Sequence, residues 1–298
     1  MVINLKNILQ YYYEIIVSPD KVNSNGYFSY NNHLFYLCEY KRNTSEIEAL
    51  SYLNKLMLFR NISINKIINN VFGKEITVHN GKSYVLILIN YEYQECSNLK
   101  FIPAINDRNI DILKRNNWGR LWSIKIDYIE YQLEHIKNSY PLIDSSVNYY
   151  IGLAENAISY FNMLDLSNVD LYIEHRRIDT NNIYNPIELV IDYKVRDISE
   201  YIKDNFIHGK MSIYSIKKYL NNLKLDNIDY ILLYVRLLYP SYYFDLYEEI
   251  INDNKEEKEI TNITKLSSLY EELLYEVYLI IRRKVSIIGI EWINKKYM

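Results

Sequence analysis

Cysteine is almost missing from this chain of 298 residues, which has only Cys38 and Cys96. Two thiols so far apart exclude a disulfide framework and a cysteine-based metal site, and they point to a reducing compartment during synthesis. Histidine is scarce as well. His33, His79, His135, His175 and His208 show none of the spacings that gather metal ligands, and no Gly-x-Ser-x-Gly elbow or Cys–His pairing stands out. With 7 Gly and 5 Pro in the chain, Gly26 is the only glycine of the first hairpin region, so a glycine-rich cover over phosphates is absent. The formal net charge is −3 with both signs interspersed, which gives no strong field and argues against a nucleic-acid or anionic-membrane partner. Long apolar runs are missing too. Tyr84–Ile89, which no other run exceeds, falls far short of the ~20 residues that cross a bilayer, and Met1–Val17 carries one lysine and no small-residue cleavage site. Neither membrane insertion nor export by a standard signal is expected, and no cofactor is expected.

What the chain does have is tyrosine. Its 33 Tyr accompany abundant Ile, Asn and Lys, a profile that AT-rich codon usage produces without selection on function. Hydrophobic residues at 49% and charged residues at 24% are ordinary globular values that leave little room for long disorder. The length suffices for one large domain or two modest ones, each with its own core.

After a short amphipathic opening, Glu14–Val17, Tyr27–Tyr30 and Leu34–Tyr40 read as strands, with Asn31-Asn32 as the turn between the last two. Ser45 and Glu48 form a capping-box pattern, followed by Ile47, Leu50, Leu53 and Met57 at helical spacing. Lys74–Val78 and Ser83–Ile89 flank His79-Asn80-Gly81-Lys82, and Asn-Gly is a strong hairpin signal. The expectation is a strand-rich lobe with one helix over residues 1–93. From Ile105 the pattern turns helical, with Trp118, Trp122, Ile126, Ile129, Leu133 and Ile136 along one face. Asp144–Met163 reads as a further helix, Asp170–Glu174 and Leu189–Asp192 as short strands around a loop, and Val195–Lys284 as mostly helical. Asn252–Glu259 reads as a solvated loop. Residues 94–298 are thus expected to form a mostly helical lobe, the whole being α+β with a small antiparallel sheet in the N-terminal lobe.

Two short strands around a His-containing loop in a helical lobe, downstream of a five-stranded lobe with one helix, are the layout of kinase-like folds. The residues carry the comparison further. The chain reads Glu174-His175-Arg176-Arg177-Ile178-Asp179-Thr180-Asn181-Asn182 and then Leu189-Val190-Ile191-Asp192-Tyr193. This resembles aminoglycoside and choline kinase-like proteins, which carry His-Gly-Asp, an Asn five residues after that Asp, and a strand ending in a magnesium-holding Asp. His175, Asn182 and Asp192 match, and Arg177 stands in place of the catalytic Asp. Further segments resemble the spore coat proteins of the CotS and YutH type. They are Trp118-Gly119-Arg120-Leu121-Trp122, Tyr140–Asp144, Tyr149–Ala157, His175-Arg176-Arg177 and Val195–Ile202. The resemblance is densest from about Trp118 to Ile202.

The resemblance implies a protein-kinase-like fold whose catalytic loop, with His175, Arg177 and Asp179, is degenerate. Arginine is always charged and has no acceptor, so Arg177 cannot take the proton of a substrate hydroxyl, and Asp179 would have to reach a differently placed substrate to replace it. The strand Leu34–Tyr40 has no lysine for nucleotide phosphates. Lys41 at its exit reads as a solvated charge and Glu48 as part of the helix cap. Asn182 and Asp192 are the candidate cofactor-binding and metal residues, suited to magnesium only if nucleotide completes the shell. In the bland reading Asp192 bonds the following turn and Asn182 fixes its own loop.

The expected function is that of a non-catalytic kinase-fold protein of the spore coat or its assembly, made in the mother cell and partnered by other coat proteins. The rival readings are a small-molecule phosphotransferase with a rearranged site of Asp179, Asn182 and Asp192, and a module that binds nucleotide without turnover.

Overall fold

The computed structural model describes residues 2–17, 23, 25–91, 99–136, 139–178 and 182–298. The chain divides into two compact units. The first consists of Met1–Asn98, Ile105–Lys114 and His175–Ile191, the second of Leu99–Ala104, Arg115–Glu174 and Asp192–Met298.

The first unit opens with α1 (Val2–Tyr13), whose Leu5, Ile8 and Leu9 recur at helical spacing and pack, with Tyr13, on Phe28, Leu37 and Leu86. Glu14 then takes a left-handed backbone, φ 55°, and Ile15 N–H returns to the Leu9 carbonyl at 3.1 Å. That reversal removes Glu14–Val17 from the sheet, against the sequence expectation of a strand there. The sheet is made by β1 (Tyr27–Tyr30), β2 (His33–Glu39), β3 (Lys66–Ile68), β4 (Thr77–His79) and β5 (Lys82–Ile89). Its order is β1-β2-β5-β3, with β4 also paired to β5. The pairs β1–β2, β2–β5, β3–β5 and β4–β5 are antiparallel. Both hairpins turn where expected. Asn31 and Asn32 have φ 49° and 61°, and Asn80 and Gly81 have φ 50° and 75°, the positive pair that a two-residue turn between twisted strands demands.

Helix α2 (Ile47–Phe59) buries Leu50, Leu53 and Met57. Its start differs from the sequence reading. Asn43 accepts the Ser45 N–H at 3.1 Å and opens a short 3-10 turn, Thr44–Glu46, that runs into the helix. Ser45 therefore lies inside the first turn and no Ser45–Glu48 capping box forms. Buried Asn54 ties α2 to the sheet, donating to Asn65 O at 2.7 Å and accepting from Ile67 N at 3.1 Å.

In the second unit β6 (Ile102–Pro103) pairs antiparallel with β7 (Leu171–His175). Strand β8 spans Leu189–Tyr193, and its last two residues, Asp192 and Tyr193, belong to this unit. The remainder is helical: α3 (Trp118–Ile136), α4 (Pro141–Asp144), α5 (Val147–Asn162), α6 (Arg196–Ile207), α7 (Ile213–Asn222), α8 (Asn227–Leu238), α9 (Ser241–Ile251), α10 (Ile260–Thr264), α11 (Ser267–Ile281) and α12 (Glu291–Tyr297). The expected helix Asp144–Met163 is present as α5 but starts three residues later, after Ser145 and Ser146 turn their hydroxyls onto Leu142 O at 2.9 and 2.8 Å. Within the charged stretch Asn252–Glu259, a 3-10 turn places the Glu257 carboxylate against Leu142 N–H and Ile143 N–H at 2.7 and 3.1 Å, capping α4. The core of this unit is strongly aromatic. Tyr150 stacks on Tyr243 at 3.8 Å, and Trp122 on Tyr239 at 4.3 Å.

Gly26 shows that this scarce residue serves the backbone. Its φ is +89°, and a Cβ there would lie 2.3 Å from the Leu37 carbonyl oxygen, whereas at Gly81, φ +75°, a Cβ meets nothing within 4 Å. Urea titration is expected to show Gly81→Ala costing about 1–2 kcal/mol for the left-handed backbone. Gly26→Ala should cost more than that, since the first hairpin must also shift, and equal costs would show that the β1–β2 pairing yields freely.

Candidate functional site

The loop that follows β7 belongs to the first unit and is held by its own backbone. His175, the last residue of β7, is buried, and its Nε2 lies 3.0 Å from the Ile183 carbonyl oxygen, so that nitrogen carries the proton. Arg176 N–H donates to Glu188 O at 2.9 Å, and the Arg176 guanidinium meets the Glu188 carboxylate at 3.1 Å. Arg177 is exposed and donates to Arg176 O at 2.9 Å, while the Asn182 side-chain amide donates to Arg177 O at 2.7 Å. The loop thus brings together His175, Arg177 and Asn182. Asp179 lies outside the described residues.

A residue that sequence reasoning passed over secures this loop. Arg42, next to the exposed Lys41, has a side chain only 4% exposed and donates to Ile187 O at 2.7 Å and Leu189 O at 2.8 Å. Its Nε also meets Glu46 Oε2 at 2.9 Å. The ion pair near the end of β2 and the start of α2 is therefore Arg42–Glu46, one turn apart, and it grips backbone carbonyls.

Asp192 lies in the second unit with 0% exposure. Its carboxylate accepts from Trp118 Nε1 at 2.9 and 3.0 Å, from Tyr193 N at 2.8 Å and from Arg196 Nη1 at 2.6 Å. Arg196 is one helical turn further along, at the start of α6, and is itself buried. Glu174 is buried nearby and accepts Asp197 N–H at 2.8 Å, a cap on α6 from another strand. Burial first, then the neighbouring Asp197 charge, push the Glu174 carboxyl well above the usual carboxylate range.

The network continues through the aromatic rings. The Arg236 guanidinium sits 4.8 Å from the centre of the Trp118 ring and bonds Glu200 Oε1 at 3.2 and 3.0 Å through Nε and Nη2. Lys203, also buried, donates to Tyr239 O at 3.0 Å and Ser241 Oγ at 3.1 Å. Sequence carried a partial signal for these groups. The Asp192–Arg196 spacing is i,i+4, but Trp118 and Asp192 are 74 residues apart and Arg236 and Glu200 36 apart.

Magnesium needs carboxylate oxygens with open lone pairs. Both oxygens of Asp192 are engaged by three donors, one of them a guanidinium, so a cation could bind there only after Arg196 had moved. The residues present do not fit a magnesium site at Asp192. Among the described residues, no group of three or more His, Cys, Asp or Glu is placed to hold a metal ion.

The fold is that of the kinase-like antibiotic phosphotransferases. The structure is similar to spectinomycin phosphotransferase APH(9)-Ia in its AMP complex, with TM-score 0.57 and 10% identity over 92% of this chain and 97% of that one. It is also similar to an aminoglycoside phosphotransferase from Alicyclobacillus acidocaldarius, with TM-score 0.53 and 7% identity over 89% of this chain and 94% of that one. Amicoumacin kinase hAmiN gives TM-score 0.52 and 10% identity over 87% and 89%. Within that class, residues 6–279 match the family described as "Spore coat putative kinase YutH", and the chain belongs to it. A relative is the endospore coat-associated protein YutH of Bacillus subtilis (strain 168), 27% identical over 163 residues. That match spans about half of each protein, 47% of this chain and 48% of the relative.

Two outcomes follow from the Asp192 network. Asp192→Ala removes the carboxylate that the buried Arg196 guanidinium and the Trp118 indole both bond, and chemical denaturation should show a loss of about 3–5 kcal/mol that added magnesium does not change. Glu174, with its folded pKa raised, binds a proton in the native state that the unfolded chain has released. Its contribution is therefore present below the unfolded pKa, about 4.3, and is lost as pH rises through the folded value. Glu174→Gln should flatten that fall in stability above pH ~4.3, and an unaltered slope would assign the dependence to other groups.

Proposed function

We propose that this chain is a non-catalytic kinase-fold protein of the bacterial spore coat or of its assembly, made in the mother cell and working through contact with other coat proteins. The observation that carries the reading is the family match over residues 6–279, supported by a relative named for its association with the endospore coat. No helix among the described residues is long and apolar enough to cross a membrane, which suits a protein deposited on a surface.

The chemistry of the loop supports the non-catalytic part. Phosphoryl transfer is positioning and charge neutralisation, with a carboxylate to orient the acceptor, a metal, and a lysine on the phosphates. Arg177 stands where the first is needed. Asp192 is closed by Arg196 and Trp118 where the second is needed, and β2, His33–Glu39, has no lysine for the third. Losing a single donor from such a site commonly costs ~10²–10³ in rate, and groups that act as a unit are not recovered one at a time.

The purified protein is expected to show no magnesium-ATP turnover with aminoglycosides, choline, sugars or amino sugars, and Arg177→Asp should not create any. Turnover above background that disappears in a folded Asp192→Asn variant would replace this reading with a small-molecule phosphotransferase. In cells, a fluorescent fusion should encircle the developing spore, and uniform fluorescence in a sporulating cell would remove the coat assignment.

A further inference from the structure

Helix α3 carries a second apolar stripe that the core does not use. Trp118, Trp122, Ile126 and Ile129 face inward, yet Leu121, Ile124, Tyr128 and Tyr131 are 43%, 55%, 51% and 61% exposed. They are spaced three, four and three residues apart, and His135, whose ring lies 4.4 Å from that of Tyr131, extends the series by four. This is the spacing of a helix-pairing seam, with alternate steps of three and four keeping one narrow face toward a partner helix. A core-facing helix needs only one stripe, and a run of exposed apolar side chains on one face marks a contact surface.

The charges along the seam choose the occupant. With Leu121, Tyr128 and His135 at one seam position and Ile124 and Tyr131 at the other, Arg120, Asp127 and Glu134 line one flank and Lys125 and Gln132 the other. Arg120, Asp127 and Glu134 form no ion pair among the described residues. Parallel pairing of two copies would set Arg120 against the copy's Lys125, a like-charge contact. Antiparallel pairing sets Arg120 of each copy against Glu134 of the other, twice by symmetry, with Ile124 packing on Tyr128 and Leu121 on Tyr131 across the axis. Asp127 then meets its own copy at the exposed rim, a small cost, while Lys125 is already paired with Glu248 within the chain.

We propose that α3 is a self-association surface, pairing antiparallel with α3 of a second copy about a two-fold axis between Ile124 and Tyr128. The contact is isologous, the same patch serving both copies. One helix pair covers less than the ~800 Å² per partner of a standard interface, so the contact is a reversible one that exchanges with monomer. The inference rests on the geometry of α3 and not on the coat reading.

Sedimentation velocity of the full chain over a concentration series tests it. The expected result is a reversible monomer–dimer equilibrium that Ile124→Asp abolishes without changing the melting temperature, since that side chain is already more than half exposed. Arg120→Glu or Glu134→Arg alone should weaken the dimer by roughly tenfold. An equimolar mixture of these two variants should recover it, because one chain then presents two acids and the other two arginines. A monomer at every concentration, a dimer indifferent to Ile124→Asp, or a mixture no tighter than its components would each overturn the proposal.

Discussion

An ionised carboxylate with no exposure to solvent is stable only if its surroundings replace the water it has lost, and Asp192 meets that condition with Trp118, Tyr193 and Arg196. The donors come from the first residue of α3, the last residue of β8 and the first of α6. One side chain therefore fixes where two helices begin relative to a strand end. The constraint propagates, because the indole that donates to Asp192 presents its face to Arg236, and Arg236 in turn neutralises Glu200 on α6. Each member of the chain is satisfied by the next, which is what allows a polar network to lie inside an aromatic core.

Within the kinase-like frame, charge at the end of β8 is balanced from inside the chain. In this chain the cation beside Asp192 is the guanidinium of Arg196, covalently part of the protein and never deprotonated. The first unit follows the same logic, since Arg42 grips the carbonyls of Ile187 and Leu189. A permanent cation attached to the chain favours a fixed geometry.

Local features of this fold were legible in the sequence where one residue type has one physical use. Asn31-Asn32 and Asn80-Gly81 tolerate the positive φ that hairpins require, and the Trp118–Ile129 stripe follows helical periodicity. Reading failed where local signals competed. Glu14–Val17 has strand-like residues but follows directly on α1, and β3 is three residues long, too short for alternation to register. At the site, the loop 175–182 and Asp192 could be found from their order along the chain. The donors closing Asp192 depend on a contact across 74 residues, for which no local pattern exists.

The burial of so many phenols has a consequence at high pH. Tyr13, Tyr36, Tyr40 and Tyr243 are pushed up to about 12, chiefly by desolvation, and Tyr150, Tyr234, Tyr242, Tyr247 and Tyr270 are raised for the same first reason. The native state keeps these protons while the unfolded chain releases them near pH ~10, so stability falls as pH rises through that value, each buried ring adding its share. Whatever filled the chain with tyrosine also set an alkaline ceiling on its fold. Near that ceiling the interior rings ionise together with unfolding, as one cooperative rise in tyrosinate absorbance distinct from the gradual titration of the surface.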